Sequence, residues 1–141
     1  MRLVRYLGTL LVLGAALAVP AQAASGPTVT GGGSASDMTR FALAISGGTG
    51  HFECLMPAVM TVEATVTGVT VTSATTATFT GVAAVTLAAH TAFGPPGPLA
   101  RDASFTTNVT AGGSGTGFVD LTIMGMEFPG TVQHGQIRIN P

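Results

Sequence analysis

The stretch SGGTGHFECLMP, residues 46–57, holds the only cysteine of the chain, with Glu53 beside it and His51 three residues before it. A thiol near an imidazole and a carboxylate is the raw material of a nucleophilic or a metal site. The surrounding pattern argues against both uses. Phe52, Cys54 and Met56 alternate with His51, Glu53 and Leu55, so on a strand the thiol points to one side and the two polar groups to the other. If the apolar set faces the core, Cys54 is a buried thiol without a cation nearby, with a raised pKa and little reactivity. A single cysteine has no internal disulfide partner, so the remaining use for it is a bridge between two chains.

The other chemistry-bearing residues are scattered. His51, His90 and His134 show no metal-ligand spacing, although a barrel end could gather all three. Glu63 and Asp120 sit out of phase with their apolar neighbours and are expected to face water. In a barrel with a polar interior they would instead join Arg138 in lining a small-molecule cavity. These positions, with Cys54, are the candidate site residues. The run GGSGTG, residues 112–117, is not a phosphate loop, because the strand-like FVDLTI follows it rather than a helix. Asn108-Val109-Thr110 fits the glycosylation pattern, and the Thr-x-Thr pairs read as ordinary exposed strand residues. No catalytic set, cofactor or metal is assigned from the sequence.

The elements that would position these residues are strands. Thr, Val and Phe dominate, glycine punctuates, and no segment keeps a helical period. Phe41, Leu43 and Ile45 share a face, as do Val62, Ala64 and Val66. Ala77, Phe79, Ala83, Val85 and Leu87 form a third set. At Gly68 the apolar phase slips by one residue, the mark of a bulge. One phenylalanine per strand, at 41, 52, 79, 105 and 118, implies one thin core fed by nearly every strand. The long loop is placed at residues 88–102, around Gly-Pro-Pro-Gly-Pro. The expected fold is all-β, a single antiparallel domain of seven or eight strands. A meander β-barrel is preferred, because short links and closure dispose of sticky edges, and a Greek-key sandwich is the alternative.

The first residues carry a different message. Arg2 and Arg5 precede an apolar run, and Ala21-Gln22-Ala23 closes it with a small-x-small motif. This is the layout of a secretory signal peptide cleaved near Ala23, and the expected destination is the cell envelope or the medium. The expected organisation is a signal peptide over 1–23, a Gly/Ser-rich lead-in over 24–36 with a short edge strand around Thr28 to Thr30, and a β domain over 37–141, with no transmembrane span in the mature chain. There is no lysine. Arg40, Arg101 and Arg138 stand against Asp37, Glu53, Glu63, Asp102, Asp120 and Glu127. With no basic patch to meet phosphates, nucleic acid is excluded as a partner.

GHFEC, VTGVTV, ATFTGVA, GGSGTGFVDLTI and the closing GQIRI together resemble a group of small secreted bacterial β-proteins in which a Gly-rich turn precedes the last hairpin. That group carries no assigned activity, so the resemblance implies a fold and no site. ISGGTGHF is also similar to a hairpin of the dirigent and allene-oxide-cyclase barrels, which implies a barrel, and in some members a cavity used for stereochemical control. The functional expectation is a secreted, non-catalytic β-protein that acts by binding or surface association. The alternatives are a carrier of a small apolar ligand, a cyclase-like barrel enzyme, and self-association through Cys54.

Overall fold

The computed structural model describes residues 26–88 and 91–141. The expected leader and His90 lie outside the described residues. Eight strands follow one another: β1 (Thr28–Ala35), β2 (Met38–Ser46), β3 (Thr49–Met56), β4 (Met60–Val71), β5 (Thr76–Leu87), β6 (Gly97–Thr110), β7 (Phe118–Ile123) and β8 (Met126–Asn140). Each pairs antiparallel with the next, and β1 pairs with β8, so the sheet is a closed up-and-down barrel. Closure satisfies the backbone groups that an open Thr/Val-rich sheet would offer to other chains.

Alternation fills the bore. Phe41, Leu43 and Ile45 of β2, Phe52, Cys54 and Met56 of β3, and Met60, Val62, Ala64 and Val66 of β4 all point inward and are buried. At mid-height Phe52, Phe79 and Phe105 form a triangle, with ring centroids 5.5, 6.3 and 6.2 Å apart. Tilted and edge-on pairs at these separations add to the area they bury. Phe118 is a correction to the sequence reading. It lies out of phase with Val119, Leu121 and Ile123 and faces outward, half-buried, so four phenylalanines reach the bore from the strands named, not five.

Three other segments differ from expectation or refine it. Within the Gly-rich lead-in, residues 28–35 form a full strand, with Val29 and Ala35 buried and every residue of that strand paired to β8. Glycine has poor strand propensity, which hides the element, but the geometry requires it here. Gly33 and Gly135 face each other across the β1–β8 seam at φ +145° and +92°, and a Cβ on either would run into the opposite backbone. Second, the long loop is shorter than expected, because β6 begins at Gly97 and pairs irregularly with β5 through Pro98 and Ala100. Proline is tolerated there because β7 pairs only from Phe105 onward, leaving residues 97–104 bonded on one side. Third, the slip at Gly68 is a bulge between Val66 and Gly68, as the phase change requires.

Residues 111–117 show what GGSGTG does. Gly112 exchanges two backbone hydrogen bonds with Ile137, at 3.0 and 2.8 Å. The Gly115 N–H donates to the Val132 carbonyl, and the Val132 N–H donates to the Gly117 carbonyl, both at 2.8 Å. The loop folds beside β8 where the short β7 leaves off, and supplies the missing partners.

Candidate functional site

Cys54 is 2 % exposed and lies in the core cluster. Burial, and then the nearby Glu53 charge, push its thiol up to about 12, against a weaker pull from a backbone hydrogen bond with Val62. At neutral pH it is a protonated thiol inside an apolar barrel, neither nucleophile nor ready bridge.

The opposite side of the same strand is the most featured part of the outer surface. β3 and β4 pair about the turn at Pro57–Val59, and this register sets Glu53 directly opposite Glu63 and His51 opposite Thr65. Ala42 lies beside Glu53 on β2, and Ala84 beside Glu63 on β5. A row Ala42–Glu53–Glu63–Ala84 therefore crosses four strands, with two carboxylates raised between small residues. The low flanks form open depressions. One, of about 420 Å³, is lined by His51, Glu53, Glu63, Thr65 and Ala84 among others. A second, of about 150 Å³, takes in Arg40, Leu55 and Thr61 with the same two glutamates. Like charges directly opposite on a sheet are destabilising, so this pairing is a cost the fold carries on its surface.

The remaining candidates do not join this group. Asp120 is outward on β7, opposite Asn108 and Pro129, with one carboxylate oxygen buried and unpartnered. Arg138 and His134 are exposed on β8, opposite Thr30 and Ser34 of β1. His51 is on β3, three strands round from β8. Of the sequence candidates, His51 and Glu63 share the larger depression and Cys54 borders the smaller one with Glu63, while Glu63, Asp120 and Arg138 stand on separate outer faces rather than in a polar bore. Among the described residues no three of His, Cys, Asp and Glu gather as a metal centre.

Sequence reasoning missed the Glu53–Glu63 pairing. The signal was present, because residues equidistant from the centre of a tight turn must meet, and Glu53 and Glu63 are each five residues from Ala58. The same rule sets Met56 opposite Met60. Beside them a further concavity, of about 520 Å³, opens at the barrel end and is lined by Asp37, Thr39, Met56, Pro57, Ala58, Val59 and Phe128.

Comparisons with protein-family models, with curated proteins and with solved structures each return no match.

Proposed function

We propose that this chain is an exported, non-catalytic barrel protein that works by association through its outside, with the β2–β5 face around Glu53 and Glu63 as the contact. The observation that carries this reading is the filled bore. The Phe52–Phe79–Phe105 triangle occupies the centre, and the inward residues beside it are apolar. What recognises a partner must then lie on the outer faces or at the ends. The charged side chains of β2–β4 stand together around the open depressions there, at an electrostatic cost that folding alone does not require. The leader-like first residues supply the export half of the reading.

The test uses the exported protein. Purified chain is expected to begin at Ala24, to release no organic molecule on denaturation, and to bind saturably to envelope preparations of its own producing cells. The double substitution Glu53→Gln with Glu63→Gln should abolish that binding while leaving the fold at least as stable, by about 0.2–1 kcal/mol. Asp120→Asn, on another face, should change neither. A stoichiometric small molecule released on denaturation would replace this reading with the carrier. Binding that survives the double substitution would remove the β2–β5 face from it.

A further inference from the structure

The methionines of this protein are distributed in a way that core filling does not demand. After Met1 there are five, and all five lie at one end of the barrel: Met38 opens β2, Met56 ends β3, Met60 opens β4, Met124 is in the β7–β8 turn and Met126 opens β8. The other end has none. Elsewhere in the bore the large aliphatic positions are Leu, Ile and Val. Leucine fills a similar volume with a better-defined rotamer, so the property confined to this end is the thioether sulfur.

Register sets these residues beside one another. Met56 and Met60 are direct cross-strand partners, both pointing inward and each 1 % exposed. Directly opposite positions hold their Cβ atoms about 5 Å apart, which puts two flexible thioethers within reach of one ion. β2 runs beside β3 with Arg40 opposite Leu55, so its first residue, Met38, also 1 % exposed, comes in at the same level. The concavity of about 520 Å³ opens onto Met56 and is closed on the far side by Phe128, two residues from the inward, partly buried Met126. Met124 adds a local oddity. It holds φ +54° before Gly125 at +75°, in a two-residue turn where Asn or Asp is the usual occupant, and it is 45 % exposed. A long apolar side chain is thus kept at a strained, open position on the rim of the same end.

We propose that this end of the barrel is a binding site for a soft monovalent cation of the Cu⁺ class, held by the thioethers of Met56, Met60 and Met38 beneath the concavity. Thioethers select soft ions, and as neutral donors they need lose no proton to bind. Cys54 lies one inward position deeper, below the level of the three thioethers. The site stands apart from the outer-face reading and does not depend on it.

Ag⁺ is the probe, since it is soft, monovalent and redox-inert. Titration of the full mature chain, followed by calorimetry and native mass, is expected to show about one Ag⁺ bound at neutral pH and still bound at about pH 4, where imidazole donors are protonated. Met56→Leu with Met60→Leu conserves volume and should keep the circular dichroism of the parent while losing the bound ion. Cys54→Ala should keep it. No binding by the parent, binding unaffected by the double leucine substitution, or binding lost with Cys54 alone would each overturn the assignment.

Discussion

The two ends of this barrel are built on different principles. One end is closed by side chains: Met38, Met56 and Met60 fill the bore beneath short turns and the Pro-rich loop, and Phe93, Leu99 and Met124 stand 40–45 % exposed around it. The other is closed by backbone and hydroxyl bonds. Residues 112–117 are bonded to β8 at Val132 and Ile137. In the β4–β5 turn the Thr72 and Thr76 hydroxyls lie 2.7 Å apart, as do those of Ser73 and Thr76. Apolar packing is non-directional and tolerates change of shape, whereas hydrogen bonds hold only one geometry. The Gly/Thr end is therefore the directional, bonded closure, and the Met end holds the adaptable volume.

The largest test removes what both ends share. Phe79→Ala takes one ring from the central triangle and should lower stability by about 3–5 kcal/mol, with both ends losing hydrogen-exchange protection in one transition. Gly112→Ala attacks only the bonded end. Its φ of +148° is poorly available to alanine, and the new Cβ would meet the Thr116 hydroxyl at 2.5 Å and the Gly117 nitrogen at 2.8 Å. A loss of about 2 kcal/mol is expected, with exchange rising first at Ile137 and Val132. If protection falls equally at the Met end, the two closures are not independent.

Cys54 probes the bore just below the Met end. Its thiol is raised from 9.0 to about 12 by burial, so above pH 9 the unfolded chain releases a proton that the folded chain keeps. The stabilising difference is complete below pH 9 and is lost as pH rises toward 12, with a slope of up to about 1.4 kcal/mol per pH unit. Denaturant titrations of the parent and of Cys54→Ala should therefore converge on raising the pH through this window, and parallel curves would mean the thiol is wetter than its burial implies. The smallest effect is expected from Met56→Leu with Met60→Leu, within about 1.5 kcal/mol in the absence of metal, because volume is conserved in an adaptable layer.

Much of the fold was legible in local pattern. Period-two alternation placed β2 to β5 with the correct faces, sent Cys54 inward and His51 outward, and marked the bulge at Gly68, because each follows from a side chain's parity along its own strand. The misses share a cause. Phe118 was assigned to the core on composition although its own parity sets it outside. Beyond the short edge strand expected around Thr28–Thr30, residues 31–35 did not read as a strand because Gly31–Gly33 carry no side chains to alternate, and Pro98 hid a strand that its one-sided pairing permits. These elements are specified by what lies across from them.

The sequence by itself determined the fold class, the apolar interior and the inertness of a lone inward thiol, since these depend on residue type and parity alone. Only the tertiary structure decided which strand closes on which, that alanines of β2 and β5 flank the Glu53–Glu63 pair, that GGSGTG bonds to β8, and that five methionines separated by as many as eighty-eight positions share one end. Closing a sheet sets positions remote in the chain about 5 Å apart through register, and register depends on every turn and bulge around the barrel at once.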